Sequence, residues 1–181
     1  SMAAILGLDF EDVKAIALEA SNGEICEAAN DNSVGQVVVS GHAGAVAAAI
    51  SLAQEKGAKK AVELPVSAPF HCALMQPAAD AMRDALADAN MKKPLVPVVA
   101  NVTAEATQDP EEIRDLLVRQ VTGTVRWRES VIWMKDNGVE EMVELGAGKV
   151  LSGLIRRIDR EISCESVGTP EQIEAIINKL K

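Results

Sequence analysis

The order in which hydrophobic periodicity changes along the first 66 residues constrains the fold more than any other feature of this sequence. Ala3-Ala4-Ile5-Leu6-Gly7-Leu8 is a short apolar run of strand type, ending at Asp9. Asp9 is suited to cap the helix predicted from Phe10 to about Ala20, where Val13, Ile16, Ala17 and Ala20 recur at helical spacing. Asn22-Gly23 stops it. A strand from Ile25 to Ala29, a polar turn over Asn30-Asp31-Asn32-Ser33 and a strand from Gln36 to Ser40 follow in the manner of a hairpin. Ala43 to Lys56 is an Ala-rich helix stopped by Gly57, and Lys60 to Val66 is a further strand. The resulting β-α-β-β-α-β order is the split βαβ pattern of ferredoxin-like domains.

After a boundary near Ser67 the pattern becomes an alternation of helices and strands. Met75 to Asn90 places Met75, Ala78, Ala79, Met82, Ala85, Leu86 and Ala89 on one face of an amphipathic helix. A strand from Leu95 to Val102 is interrupted by Pro97, which suits an edge or a strand end. Asp109-Pro110-Glu111-Glu112 sets a cap, a first-position proline and a capping glutamate in order, so a helix runs from Pro110 to about Val121. A helix from Arg126 to Asn137, a strand from Glu141 to Leu145, a helix from Lys149 to about Arg160, a strand from Cys164 to Val167 and a last helix to Leu180 follow. These read as β-α units of a parallel layered sheet, which makes the class α/β with two parts, 1–66 and 67–181.

Composition narrows the function. A chain of 181 residues with 48% hydrophobic and 25% charged residues has the makings of a soluble globular core. Two Phe, two Trp and no Tyr force that core to be aliphatic and leave few rings on which bases stack. Eighteen Lys and Arg against 27 Asp and Glu give a net charge of −9, which argues against nucleic acid as a partner. Cys26, Cys72 and Cys164 have neither CxxC nor Cys/His ligand spacing, so no metal is implied and a reducing, cytoplasmic setting is expected. No apolar run approaches the length of a membrane span or a signal peptide, so no membrane association is expected.

His71 is the strongest candidate for chemistry. It follows a strand in the loop Ser67-Ala68-Pro69-Phe70-His71-Cys72, and reactive side chains of open α/β sheets collect at strand ends. Its other reading is a histidine that merely satisfies a hydrogen bond. Lys59 and Lys60 are placed to meet a phosphate or carboxylate, or are solvated edge lysines. Asn30, Asn32 and Gln36 cluster at a turn, which Asx turns also explain. Gly146-Ala147-Gly148-Lys149 has the look of a phosphate cradle but lacks the full GxxxxGK[ST] spacing, so a tight turn is the better reading. Neighbouring His71 and Cys72 point to opposite faces and make a poor base–nucleophile pair. No GxSxG is present, so the histidine is a base without a visible nucleophile.

Several segments, in order along the chain, carry a family resemblance. They are Asn30 to Gly41 (NDNSVGQVVVSG), Leu64 to Met75 (LPVSAPFHCALM), Pro97 to Val102 (PVVANV), Leu117 to Gln120 (LVRQ), Val125 to Trp127 (VRW) and Glu144 to Leu151 (ELGAGKVL). The chain resembles the C-terminal part of the malonyl-CoA:acyl carrier protein transacylases of bacterial type II fatty acid synthesis. The resemblance implies an α/β-hydrolase-like acyltransferase domain with a ferredoxin-like subdomain inserted, the latter matching residues 1 to 66. It also implies a Ser–His mechanism that moves a malonyl group from coenzyme A to the phosphopantetheine thiol of acyl carrier protein, with malonyl-CoA and the carrier protein as partners and no cofactor. By the same resemblance His71 matches the general base, and Gln120 matches the residue whose backbone carbonyl orients the imidazole. Phe70 matches the malonyl-selecting position, Asn32 and Gln36 match the cleft, and Lys59 and Lys60 match positions near the coenzyme A phosphates.

The family's GHSxGE elbow, its GQGxQ loop and its malonyl-pairing arginine precede the segment at which this chain begins, and no substitute stands in the sequence. The resemblance therefore assigns the base to this chain but not the serine. It also implies unpaired strand edges, with dimerisation or swapping as the consequence. The alternative is a non-catalytic module that binds a ligand or a protein.

Overall fold

The computed structural model describes residues 1–179; the expected end of the last helix at Leu180 lies outside them. The chain divides into two compact units, 1–130 and 131–181, and the expected boundary at Ser67 falls inside the first. The class is mixed α/β.

In the first unit, β1 (Met2–Leu6), α1 (Phe10–Ser21), β2 (Cys26–Ser33), β3 (Gln36–Gly41), α2 (Ala43–Glu55) and β4 (Lys60–Glu63) succeed one another. The strands form one sheet in the order β2-β3-β1-β4, every neighbouring pair antiparallel. The apolar stripes of α1 (Val13, Ile16, Ala17, Ala20) and α2 (Ala45, Val46, Ala49, Ala53) share a core with Ala3, Ile5, Val37 and Val39 of the sheet. Small side chains dominate it, as the shortage of aromatic residues requires. Gly41 is obligatory: a Cβ there would stand 2.0 Å from the carbonyl oxygen of Ile25. The same carbonyl accepts the His42 amide at 2.8 Å, and the Ile25 amide donates to His42 Nδ1 at 3.0 Å.

The polar stretch Asn30 to Ser33 is a strand rather than the expected turn, and the turn is Val34-Gly35, with Gly35 at φ 67°. Asn30 and Asp31 stay in the strand because they find partners there, while the buried Ser33 hydroxyl has none among the described residues. Asp31 is buried against Arg128, and Asn30 bridges to Val125 in an added parallel pairing. Irregularities at Ala28/Asn30 and Asp31/Ser33 absorb the mismatch.

The remainder of the first unit contains a 3₁₀ turn (Ala73–Met75), α3 (Gln76–Ala87), β5 (Val98–Ala100), β6 (Glu105–Thr107) and α4 (Pro110–Thr122). The strand expected from Leu95 to Val102 shrinks to three residues, because Pro94 and Pro97 remove ladder donors, and it pairs antiparallel with β6. The apolar face of α3 is mostly uncovered: Ala79 is buried, whereas Met82 is exposed. Asp109 caps α4 by accepting the Glu111 amide at 2.9 Å, while Glu112 takes the Thr107 hydroxyl in place of the reciprocal capping bond. Helix α5 (Trp127–Asp136) starts at the end of the first unit.

The second unit holds β7 (Glu141–Leu145), α6 (Val150–Ile158), β8 (Ser163–Val167) and α7 (Pro170–Lys179), and β7 pairs parallel with β8. The single layered parallel sheet expected after Ser67 is therefore replaced, among the described residues, by one antiparallel and one parallel pair. Lys135 bonds both Asp159 and Glu161, the latter at 2.9 Å. No described helix is long and apolar enough to cross a membrane.

Candidate active site

The centre of the site is built by the end of a helix. The last carbonyls of any α-helix lack intrahelical donors. At the end of α4 the Gly123 amide still reaches back to the Arg119 oxygen at 2.9 Å, but the chain then leaves the helix. The Thr124 hydroxyl donates to the Ala28 oxygen at 2.8 Å, the Val125 amide to the Ala29 oxygen at 2.8 Å, and the Asp31 amide to the Val125 oxygen at 2.9 Å. This diversion onto β2 leaves the Gln120 carbonyl open. His71 Nδ1 lies 2.9 Å from it.

A carbonyl oxygen only accepts, so Nδ1 carries the proton and Nε2 is the bare, basic nitrogen. His71 is half-buried and its backbone lies in the left-handed region at φ 58°, a conformation that costs a non-glycine residue about 1–3 kcal/mol and recurs at functional sites. The buried Cys72 thiol turns away, donating to the Pro69 oxygen at 3.2 Å. Phe70, beside the histidine, is 40% exposed.

The other residues singled out in the sequence gather at one end of the four-stranded sheet. Leu6 pairs with Gln36 on one side and Lys60 on the other, and Asn32 precedes Ser33, the β2 partner of Gln36. The Lys59 amide donates to the Leu6 oxygen at 2.8 Å, and Gly7, at φ 94°, leaves room for the Lys59 stem, whose Cγ would stand 2.7 Å from a Cβ. Both lysines are exposed. Register groups Asn32, Gln36, Lys59 and Lys60, and the imidazole's bond goes to Gln120.

Sequence reasoning missed the Asp31–Arg128 pair. Arg128 Nε lies 3.1 and 2.9 Å from the two Asp31 oxygens and Nη2 lies 2.7 Å from Oδ2, and these hydrogen bonds push the Arg128 pKa up. A sequence separation of 97 carries no signal of the contact. An acid and an arginine in polar contexts only point to each other once β2 is known to run through Asp31.

In the second unit, the Gly146-Ala147-Gly148 turn does present a helix N-terminus, but two of its amides are already engaged. Leu151 and Ser152 each donate to the Glu144 carboxylate at 2.9 Å, and the Ser166 hydroxyl donates to it at 3.2 Å. These backbone bonds, Ser152 foremost, hold the Glu144 pKa down at about 2 against a usual 4.5. The stability this group contributes is therefore complete above pH 4.5 and disappears as pH falls toward 2. Glu144→Gln is expected to flatten that limb of the pH–stability curve while leaving the neutral limb lower, which urea melts at several pH values check. Nearby, Lys149, Arg156 and Arg160 border a cavity of about 630 Å³ with Ser152 and Ser163. The Glu165 carboxylate on its wall faces Lys179 at 3.7 Å. Among the described residues no group of His, Cys, Asp and Glu is arranged to hold a metal.

The malonyl CoA-acyl carrier protein transacylase of Escherichia coli strain K12 is 43% identical over 177 residues, which cover 98% of this chain and 57% of that protein. The protein of the same description from Bacillus subtilis strain 168 is 41% identical over 182 residues, covering 100% of this chain and 57% of its own length. This chain is homologous to the malonyl CoA-acyl carrier protein transacylases. The acyl-carrier-protein-S-malonyltransferase structure from Bartonella henselae superposes with a TM-score of 0.95 at 54% identity, covering 99% of this chain and 57% of that one. A malonyl-transacylase structure in complex with its type II polyketide synthase acyl-carrier protein superposes with a TM-score of 0.92 at 42% identity, covering 98% and 58%. This chain thus spans about 57% of the length of the transacylases it matches. No family model matches the sequence.

Proposed function

We propose that this chain supplies the general base of a malonyl transfer from coenzyme A to the phosphopantetheine thiol of an acyl carrier protein. The observation that carries it is the His71 imidazole held by the open carbonyl at the end of α4, in a chain homologous to transacylases. In the step proposed, a serine hydroxyl that these 181 residues do not supply loses its proton to His71 Nε2 as its oxygen attacks the malonyl thioester carbonyl. The thioester C–S bond breaks, the imidazolium returns the proton to the coenzyme A thiolate, and a malonyl-serine ester remains. The carrier thiol then reverses the sequence: its proton goes to His71, its sulfur takes the malonyl group, and the serine recovers a proton. The open carbonyl stands where a triad carboxylate otherwise stands.

On the same reading, residues 1–66 are a ferredoxin-like subdomain, supported by the β2-β3-β1-β4 order, and 67–181 belong to the larger acyltransferase part. Phe70 restricts the space beside the base to malonyl, Asn32 and Gln36 line the cleft, and Lys59 and Lys60 meet the coenzyme A phosphates. An acidic carrier protein is received by the groove that Lys149, Arg156 and Arg160 line, in a chain of net charge −9. Leu95, 98% exposed, and Leu145, 71% exposed, support association or swapping by the isolated chain.

The test is reconstitution with the part of a transacylase that the chain does not span, using malonyl-CoA and phosphopantetheinylated carrier protein. Intact mass is expected to show a malonyl adduct on the carrier with the native chain, and none on the isolated 181 residues. If the reconstituted protein gives no adduct while it binds the carrier protein, the chain is a binding module and the transfer reading fails.

A further inference from the structure

His71 Nδ1 has two neighbours that make opposite demands, and both belong to Gln120. The backbone oxygen at 2.9 Å accepts and requires a protonated Nδ1. The side-chain Nε2 at 3.5 Å donates and would bond a bare Nδ1 if it moved a few tenths of an ångström closer. The second arrangement protonates His71 Nε2 and removes the base. What keeps the amide back is a bond in the other direction, Gln120 Nε2 to the Gly123 oxygen at 3.0 Å. That bond also fixes which way the amide faces, since turning its oxygen toward the Gly123 oxygen would oppose two acceptors. The amide is not held by its own oxygen, because Gln120 Oε1 is buried without a partner.

We propose that Gly123 and the Gln120 side chain form a latch that selects the tautomer of His71, which makes Gly123 a positioning residue for the base. Only glycine fits: a Cβ at 123 would stand 2.8 Å from Val102 Cγ2 and 2.9 Å from the Arg119 oxygen, so any side chain displaces the carbonyl that draws the amide away. The consequence for catalysis rests on the reading of His71 as the base. The tautomer itself does not, and it is measured without substrate.

The experiment uses the full chain labelled with ¹⁵N-histidine and long-range ¹H–¹⁵N correlation at a pH above the imidazole titration. The chain has two histidines, and His42 is an internal control of opposite sign, because its Nδ1 accepts the Ile25 amide and must be bare. Native His71 is expected to carry its proton on Nδ1. Gly123→Ala is expected to lower the Nδ1–H to Nε2–H ratio by roughly tenfold, about the net worth of one hydrogen bond. Adding Gln120→Ala to that variant is expected to restore the ratio, since the competing donor is gone and the backbone carbonyl stays. Gln120→Ala alone is expected to keep the native tautomer, a result that stands whether or not Gly123→Ala folds. A native Nε2–H tautomer, an unchanged ratio in folded Gly123→Ala, failure of the double variant to recover, or loss of Nδ1–H in Gln120→Ala each overturns the latch.

Discussion

His71→Ala is expected to lower malonyl transfer about 10²–10⁴-fold in a protein that joins this chain to the rest of the transacylase length, the usual worth of a general base. The size follows from what the imidazole does at each half of the reaction. A serine hydroxyl is a poor nucleophile at neutral pH until its proton has somewhere to go, and His71 Nε2 is bare because Nδ1–H is committed to the Gln120 carbonyl. The imidazolium that forms then hands its proton to the departing thiolate, so the same group serves as base and as acid in each half-reaction. Alanine removes both effects and also keeps a strained left-handed backbone at φ 58°. His71→Asn separates these contributions, because asparagine tolerates that backbone without supplying a base. Both variants are expected to lose transfer alike while binding the carrier protein as the parent does. Transfer retained in His71→Asn would assign the loss in alanine to the backbone and remove His71 from the mechanism.

Much of the fold was legible because local rules and packing agreed. The periodicities of α1 and α2, the cap at Asp109 and the glycines after Asn22 and Lys56 mark elements within a residue or two of their observed ends. Failures occur where a distant partner overrides local chemistry. Asn30 to Ser33 has turn composition but forms a strand, since Arg128 pairs with Asp31 and Val125 bridges to Asn30 from almost a hundred residues away. Leu95 to Val102 has strand composition, but Pro97 within it and Pro94 before it leave three paired residues. His71 stood out as a histidine in the loop after a strand, although that strand ends at Glu63 and not at Val66, and Gln120 was legible only through resemblance, because no local pattern announces an open helix carbonyl. Gly123 carried no signal at all: its need for a bare Cα arises from Val102 and the Arg119 oxygen, both brought to it by tertiary structure.

The same tertiary dependence makes the Asp31–Arg128 pair a sharp test of stability, because its two halves are unequally buried. The Asp31 side chain is 2% exposed and the Arg128 side chain 30%. Arg128→Ala strands a carboxylate with almost no access to water, and removal of one partner from a buried pair costs about 3–5 kcal/mol. Asp31→Ala strands a guanidinium that swings its planar head toward solvent, so the cost is expected to be lower, about 1–2 kcal/mol. Apolar replacement of both, Asp31→Val with Arg128→Leu, removes the desolvation penalty together with the attraction and is expected to recover most of the loss. Urea unfolding of the four proteins at neutral pH reads all three differences against one baseline. Equal losses in the two single variants would mean that the carboxylate reaches water after all. A double variant as unstable as Arg128→Ala would mean that the pair is needed for the geometry of β2 against Val125, and not only for its own charge balance.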